Sequence, residues 1–221
     1  MELTKFGAPI RPKLPCLRDF RLLGYPTKVK EHPVWKNEPK PWAAYTHHSE
    51  KMHSSIECHY LYKIAQKLGP GEYANLGVFK GLSTACLAYG LKAKGHNGKI
   101  YSVDLFNHWN PLQPGYQLSA FNSGIQEVGL SDYVVACEGY THEWAHKLRK
   151  HRFKFILIDA DHHYETCKQD FTLWAPLLAD DGIVAFHDCD MVTVNMVIEE
   201  MGPAWQLVDH YHRLKAFKRV K

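Results

Sequence analysis

The stretch Phe155-Ile-Leu-Ile-Asp-Ala-Asp-His-His-Tyr-Glu165 decides the fold, because four apolar residues run without a break into a dense group of ionisable side chains. A short apolar run without polar alternation is typical of a strand buried on both faces, and such strands belong to parallel sheets covered by helices. Ligands of these sheets bind at the carboxyl ends of the strands. The ionisable residues are therefore predicted to lie at the mouth of a pocket: Asp159, Asp161, His162 and His163. The alternative is that Asp159 or Asp161 only caps the following helix.

The rest of the chain alternates strand patterns with helical ones. Apolar strand patterns occur at residues 73–76, 100–104, 134–137, 155–159 and 183–186, and two closing strands are predicted at 205–208 and 214–217. Amphipathic helical patterns separate the first five strands. Asp181-Gly182 is predicted to form a turn that leads into the fifth strand. This alternation predicts an α/β fold with a doubly wound, mostly parallel sheet.

The composition divides the chain of 221 residues into two parts. Residues 1–50 hold seven of the twelve prolines together with Trp35 and Trp42, a composition that favours an extended arm over long helices. Residues 51–221 are predicted to form one domain. The arm is expected to pack against this domain, to cap its active site or to contact a neighbouring subunit. In the last case, the arm would form the contact of a homo-oligomer.

Several classes of protein are excluded or not indicated by the sequence. No apolar run approaches the ~20 residues that a membrane span requires, and residues 1–20 lack the features of a signal peptide, so we expect no membrane partner and a cytoplasmic location. The six cysteines form no Cys-x-x-Cys pair, which argues against a disulfide framework and a structural zinc site. The formal net charge of +4 is modest, so nucleic acid is not indicated as a partner.

A glycine turn and an acidic residue point to a nucleoside-bearing ligand. The segment 77–84, Gly-Val-Phe-Lys-Gly-Leu-Ser-Thr, follows a strand and opens a helix, whose N-terminus offers unpaired N–H groups to a ligand. Its Gly-x-x-x-Gly spacing differs from the Gly-x-Gly-x-x-Gly of dinucleotide-binding turns. Asp104 ends the next strand, at about the distance in sequence where nucleoside-binding sheets place an acid that accepts from ribose hydroxyls.

Five segments together resemble the class I S-adenosylmethionine-dependent methyltransferases: 75–84, Asp104, 158–165, 173–178 and 182–188. Within that class the chain is similar to a bacterial group with Ile-Asp-Gly-x-His-x-Tyr and Phe-His-Asp motifs, which is related to the macrocin-type sugar O-methyltransferases and to catechol O-methyltransferase. The resemblance covers roughly residues 53–217. It implies a seven-stranded, Rossmann-like sheet in the strand order 3-2-1-4-5-7-6.

The resemblance implies S-adenosylmethionine (SAM) as cofactor. The turn and helix start would wrap the methionine moiety, Asp104 would hold the ribose, and the segment after the third strand would line the adenine. The implied cofactor residues are Asn75, Gly77, Phe79, Gly81, Ser83, Thr84, Asp104, Gly139, Tyr140, Thr141 and Asp159. The family usually has Glu or Asp where this chain has Asn75, and Gly where it has Ala160.

Methyl transfer to a hydroxyl requires alignment of the two reacting atoms and removal of the acceptor's proton. The candidate general bases are Asp161 and His162, followed by His187. A divalent metal is the second way to stabilise the deprotonated oxygen. The resemblance places a metal site at Asp159, His187 and Asp188, with Mg²⁺ or Mn²⁺ as the candidate ion, although a histidine ligand suits Mg²⁺ poorly.

A hydroxyl of a small molecule or of a glycan is the predicted methyl acceptor. The sequence at 159–162 lacks the Asp/Asn-Pro-Pro-aromatic pattern of many methyltransferases that act on the amines of bases. The loop 107–115 is predicted to overhang the pocket. Three alternatives remain open: a non-catalytic binding module with the same fold, an NAD(P)-type oxidoreductase and a nucleic-acid methyltransferase.

Overall fold

The structure is a computed structural model that describes residues 39–45, 53–107 and 115–220. Most of the predicted arm at 1–50, the whole of segment 108–114 and Lys221 lie outside the described residues. The loop 107–115, which is predicted to overhang the pocket, therefore remains a prediction.

In the described part of the chain, six α-helices and seven strands alternate. The helices are α1 (Ser55–Leu68), α2 (Leu82–Ala93), α3 (Tyr116–Glu127), α4 (Thr141–Lys147), α5 (Tyr164–Trp174) and α6 (Val192–Glu200). The strands are β1 (Gly71–Leu76), β2 (Gly98–Asp104), β3 (Val134–Glu138), β4 (Phe153–Ile158), β5 (Leu178–Phe186), β6 (Trp205–Tyr211) and β7 (Leu214–Arg219). Among the helices that the structure describes, none is both long and apolar enough to cross a lipid bilayer.

The strands form one sheet in the order β3-β2-β1-β4-β5-β7-β6. The first five strands pair in parallel, whereas β7 pairs antiparallel with both β5 and β6. The predicted fold class and strand order are therefore confirmed. The two closing strands form a hairpin, which places the turn between them beside the end of β5.

The predicted turn at Asp181-Gly182 is wrong, because both residues lie inside β5. The register between β4 and β5 jumps from Phe153 opposite Leu178 to Phe155 opposite Ile183, so the intervening residues of β5 bulge out of the ladder. A Cβ at position 182 would lie 2.8 Å from the carbonyl oxygen of Phe153. The glycine that suggested a turn thus serves a close approach between two strands.

Strand β4 is buried on both faces, as its apolar run predicts. Phe155 and Leu157 face the core formed with α1, α2 and α3, whereas Ile156 and Ile158 face the core formed with α4, α5 and α6. All four side chains are essentially inaccessible to water. A slip by one residue would exchange the two faces, so the fit of these side chains into two differently shaped cores selects the register of β4.

Residues 39–45, which belong to the predicted arm, pack into the core. Trp42 and Tyr45 are buried in the short 3₁₀ helix Pro41–Tyr45, and the ring of Trp42 lies edge-on to His59 at 5.2 Å. The Tyr45 hydroxyl donates to the carbonyl of Lys80 at 2.8 Å. This part of the arm therefore packs on the domain, while the boundary at residue 50 stays a prediction.

The residues that follow the central strands continue the sheet's hydrogen bonding. Gly77, Asp159 and His187 donate their N–H groups to carbonyls of β2, β1 and β4 over 2.9, 2.9 and 3.1 Å. These bonds hold the residue after each strand at the same edge of the sheet. Gly77 has a φ of +84°, and a Cβ there would lie 2.2 Å from the carbonyl oxygen of Asp159. The turn after β1 therefore touches the segment after β4 directly.

We expect Gly77→Ala to destabilise the protein more than Gly95→Ala. Both glycines have a positive φ, which costs an alanine roughly 1–2 kcal/mol, but a Cβ at Gly95 meets nothing within 4 Å. The difference between the two variants isolates the contact with Asp159. Urea unfolding measures both free energies, and equal losses would contradict the close approach of the two strand ends.

Candidate active site

Asp104 fixes the shape of the glycine turn. Its Oδ2 accepts hydrogen bonds from the N–H groups of Val78 and Phe79 at 2.7 and 2.8 Å, and its Oδ1 accepts from Phe106 at 2.7 Å. Phe79 and Phe106 adopt left-handed φ values of 49° and 50°. A carboxylate that accepts from three N–H groups can hold this strained backbone. The predicted contact between Asp104 and a ribose stays a prediction.

Asn75, Ser83 and Thr84 form an internal anchor under the turn. The Nδ2 of Asn75 donates to the Ser83 and Thr84 hydroxyls at 2.9 and 2.8 Å, and the Thr84 and Ser102 hydroxyls lie 3.0 Å apart. All four side chains are buried. The hydroxyls predicted to wrap a ligand thus tie the start of α2 to β1 and β2. Asn75 Oδ1 finds no hydrogen-bond partner among the described residues.

Close packing around position 81 favours a glycine there. It precedes α2 with a φ of +89°, and a Cβ there would lie 2.6 Å from the ring of Phe121 and 2.8 Å from the Tyr45 hydroxyl. The amide of Gln117 donates to the carbonyl of Phe79 at 3.0 Å. Helix α3 and the segment 39–45 therefore close the outer side of the turn.

The segment predicted to line an adenine follows β3. Gly139 donates to the carbonyl of Asp104 at 2.9 Å, which sets the end of β3 beside the end of β2. Tyr140 is 55% exposed, and its ring stacks on His142 with 5.3 Å between centroids. Thr141 donates its hydroxyl to the buried carboxyl of Asp170 at 2.5 Å. Of the three predicted residues, Tyr140 presents an aromatic face to the surroundings.

Four predicted residues meet at the ends of β4 and β5. His187 Nδ1 lies 3.0 Å from Asp159 Oδ1 and 3.4 Å from Asp188 Oδ1. His162 Nε2 lies 2.6 Å from Asp188 Oδ2 and 3.9 Å from Asp159 Oδ1. Asp188 has a left-handed φ of 52°. We call these residues, Asp159, His162, His187 and Asp188, the acid–imidazole cluster.

Asp161 does not join the acid–imidazole cluster. Its carboxylate accepts from the N–H of His163 at 3.1 Å and from the Thr166 hydroxyl at 2.9 Å, and it lies 2.7 Å from the His163 ring. These contacts hold the start of α5. The N-cap of α5 is His163, so Asp161 braces the residue before the helix without capping it. The role of Asp161 as a base stays a prediction.

Glu57 and His53 extend the cluster and were not predicted from the sequence. Glu57 is 1% exposed, and its Oε1 lies 3.4 Å from His187 Nε2. His53 Nε2 lies 3.4 Å from Asp159 Oδ2. Glu57 was visible in the sequence only as the acid of a capping box with Ser54, where Ser54 N–H donates to Glu57 Oε2 at 2.7 Å. Nothing in the local pattern marked His53.

Arg213, in the turn between β6 and β7, also contacts the cluster and was not predicted. Its backbone N–H donates to Glu57 Oε1 at 3.0 Å, and its Nε donates to Asp190 Oδ1 at 3.0 Å. Its Nη2 contacts Asp188 Oδ1. The hairpin thus places a guanidinium beside the carboxylate that follows β5.

The cluster shifts its own protonation equilibria. Burial alone would raise the pKa of Asp159, but the charge of His187 and hydrogen bonds from His162 and His187 hold it well below its usual range. Burial likewise opposes the charged form of His187, yet Asp159 raises its pKa well above the ordinary value. Hydrogen bonds to Asp159 and Asp188 raise the pKa of His162 to about 9. Despite burial, His187 lowers the pKa of Glu57 to about 2.

Comparison with known proteins identifies the family of this chain. A family model described as a methyltransferase domain matches residues 74–189, which is more than half of the chain. The chain belongs to this methyltransferase family. The match spans both the glycine turn and the acid–imidazole cluster, and it favours methyl transfer over the oxidoreductase alternative.

Solved methyltransferase structures share the fold of this methyltransferase domain. An O-methyltransferase from Bacillus cereus in complex with SAH has a TM-score of 0.63 and 15% identity, over 84% of this chain and 94% of that one. TomG from Streptomyces achromogenes, in complex with SAM, has a TM-score of 0.63 and 15% identity, over 92% and 96%. CalS11, a TDP-rhamnose 3′-O-methyltransferase, has a TM-score of 0.61 and 18% identity, over 86% and 96%.

We expect Asp170→Asn to change how the stability of the methyltransferase domain depends on pH. Burial raises the pKa of Asp170 to about 6, while the Thr141 hydrogen bond lowers it and Asp161 raises it further. The folded state therefore binds this proton more tightly than the unfolded chain, so the stability contributed by Asp170 is lost as the pH rises from about 4 through 6. Relative to the native protein, Asp170→Asn should gain up to about 3 kcal/mol across this window.

Urea unfolding at several pH values measures this difference for the two proteins side by side. All other carboxyl groups are common to both chains, so their titration cancels. A difference between the two proteins that stays constant from pH 4 to 7 would contradict the raised pKa of Asp170.

Proposed function

We propose that this protein is a SAM-dependent methyltransferase that acts on a hydroxyl of a small molecule or sugar. One observation carries the proposal: the glycine turn after β1 touches Asp159 after β4, with only 2.2 Å between a Cβ at Gly77 and the Asp159 carbonyl oxygen. A ligand in the turn and a substrate at the acid–imidazole cluster would therefore be neighbours. The family match and the SAM and SAH complexes of similar structures support this proposal.

The residues around the turn suit a ligand with a positive charge and hydroxyl groups. SAM supplies a methyl group on a cationic sulfur. The carboxylate of Asp104 accepts hydrogen bonds from the turn, and the backbone carbonyl of Asp159 touches the turn. Both residues would offer acceptors to ribose hydroxyls and to cationic groups. The unpartnered Oδ1 of Asn75 is a further buried acceptor beneath the turn. Gly77, Phe79 and the exposed ring of Tyr140 complete the proposed cofactor site.

His162 is the residue that we propose as general base. Its side chain is 36% exposed, whereas that of His187 is 4% exposed, so His162 is the imidazole of the cluster that an incoming hydroxyl can reach. Its contacts with Asp188 at 2.6 Å and with Asp159 orient the ring and raise its pKa to about 9, so His162 accepts the proton from its neutral form, which becomes populated as the pH rises toward 9. Asp161 lacks such a position because its carboxylate is engaged at the start of α5.

The cluster also fits a divalent metal ion. Asp159, His162 and Asp188 each offer a ligand atom, and these atoms lie within 4.8 Å of one another. Asp159, His187 and Asp188 are the residues predicted to hold Mg²⁺ or Mn²⁺. A metal held through His162 would lower the pKa of an acceptor hydroxyl and would then replace His162 as the means of removing its proton.

An oxygen acceptor is supported by the similar solved structures. TomG and the Bacillus cereus protein are O-methyltransferases, and CalS11 methylates the 3′ position of TDP-rhamnose. The identities of 15–18% indicate a shared fold only. The proposed hydroxyl class therefore rests mainly on the imidazole–carboxylate pair, which is suited to removing a hydroxyl proton.

The test has two stages that use the full chain. Calorimetry with SAH first asks whether the cofactor binds. Methyl transfer from SAM is then measured against phenols, catechols, sugars, nucleotide sugars and RNA, each with and without Mg²⁺ or Mn²⁺. Transfer to a hydroxyl compound supports the proposal. Absence of SAH binding overturns it, and binding without transfer to any acceptor favours the non-catalytic module.

We expect Asp104→Ala to weaken SAH binding by about 1.5–3 kcal/mol, which is typical of lost hydrogen bonds to a charged group. The carboxylate holds the turn and is the acceptor that we propose for the ribose hydroxyls. Glu138→Ala is the matched control, because Glu138 pairs with Asp104 at the end of β3 and is exposed. Unchanged SAH affinity in Asp104→Ala, measured by calorimetry, would remove Asp104 from the cofactor site.

We expect His162→Gln to lower kcat by roughly 10²–10⁴-fold, the usual contribution of a general base. SAH affinity should change little, because His162 is not among the residues proposed to bind the cofactor. His163→Gln is the control, since the side chain of His163 is 77% exposed and contacts Asp161 instead. A variant with native kcat on the identified acceptor would show that another group removes the proton.

A further inference from the structure

We infer that His53, Asp159 and His187 bind a divalent transition-metal ion such as Mn²⁺, Fe²⁺, Co²⁺ or Zn²⁺, with His53 as a ligand from the segment that precedes α1. His53 Nε2 lies 3.4 Å from Asp159 Oδ2, and His187 Nδ1 lies 3.0 Å from Asp159 Oδ1. One ligand atom from each residue falls within 4.8 Å of the other two. Two imidazoles and one carboxylate thus converge on a small volume.

His53 is buried without the hydrogen bonds that a buried imidazole requires. Its side chain is 6% exposed, and neither ring nitrogen makes a well-formed hydrogen bond to any described residue. Its ring packs against that of His187 with 4.3 Å between centroids. A buried polar group without partners is costly, and a bound cation that takes the lone pair of one nitrogen removes that cost.

Glu57 supplies the outer contact that metal-bound histidines usually make. A histidine ligand commonly donates its second ring nitrogen to a carboxylate, which fixes the tautomer and the ring orientation. Glu57 Oε1 lies 3.4 Å from His187 Nε2, on the side of the ring away from Asp159. Hydrogen bonds from the backbone N–H groups of Ser54 and Arg213 fix this carboxylate in place. His187 is therefore oriented to present Nδ1 to an ion.

Asp188 is a weaker candidate ligand than His53, although it was predicted. Arg213 Nη2 contacts its Oδ1, and His162 Nε2 lies 2.6 Å from its Oδ2. Both carboxylate oxygens thus face a cationic partner. The ligand set shifts from two carboxylates and one imidazole to one carboxylate and two imidazoles.

This donor set selects the class of ion. Mg²⁺ prefers an octahedron of oxygen ligands, whereas imidazole suits Zn²⁺, Fe²⁺ and related ions. Two histidines and one carboxylate also leave coordination positions open for water or for an acceptor oxygen. The use of the ion in methyl transfer rests on the proposed function, whereas the binding of the ion does not.

The test uses the full chain after treatment with EDTA. Equilibrium dialysis followed by elemental analysis measures uptake of Zn²⁺, Mn²⁺, Co²⁺ and Mg²⁺, and visible absorption follows Co²⁺ coordination. We expect one ion per chain, with Mg²⁺ bound more weakly than each of the others. His53→Gln should weaken Co²⁺ binding by at least about tenfold and change its absorption spectrum, since even outer contacts contribute 10–100-fold to metal affinity.

His163→Gln is the matched control and should leave Co²⁺ affinity and spectrum unchanged, because its side chain is exposed and contacts Asp161. Circular dichroism checks that His53→Gln folds, and a variant that fails to fold is replaced by His53→Asn. The inference is overturned by absence of saturable uptake, by native Co²⁺ binding in the His53 variant, or by a preference for Mg²⁺. SAH calorimetry on the same samples reports separately on the proposed function.

Discussion

The buried pairing of Asp159 with His187 is the interaction on which the site depends. These residues follow two adjacent parallel strands, and the 3.0 Å contact between them is nearly closed to water. Loss of one partner from such a pair leaves an uncompensated buried charge, which typically costs about 3–5 kcal/mol. Glu57, His53, Asp188 and their partners are arranged around this pair, so ionic contacts link the ends of β4 and β5 to α1 and to the last hairpin.

The fold could be predicted because its signals are local. The apolar run of β4 specifies burial on both faces by itself, and the glycine-rich segment after β1 marks a change from strand to helix. The turn predicted at Asp181-Gly182 was wrong because its cause is not local. There the glycine reflects a register jump between β4 and β5, which depends on the pairing partner rather than on the residues of β5.

The same distinction separates the predicted part of the site from the missed part. Residues that directly follow parallel strands must share one edge of the sheet, which is why Asp159 and His187 could be placed together. His53, Glu57 and Arg213 come from the start of α1 and from the last hairpin, and only tertiary packing brings them to that edge. The direction of a side chain within a short turn was equally inaccessible, so Asp161 and His162 could not be ranked from the sequence.

The charge of the cluster suits a cationic methyl donor. Before an ion binds or His162 accepts a substrate proton, the raised pKa values of His162 and His187 favour imidazolium forms, which together with Arg213 offset most of the negative charge of the nearby carboxylates. Transfer of a methyl group from a sulfonium to a deprotonated oxygen removes one positive and one negative charge, so the transition state carries less charge than the reactants. A strongly negative edge would stabilise the charged sulfonium of the ground state more than the less charged transition state. An edge close to neutral avoids this unequal stabilisation and so favours the transition state. The dense interleaving of acids and imidazoles is thus better suited to methyl transfer than an equally acidic surface without histidines.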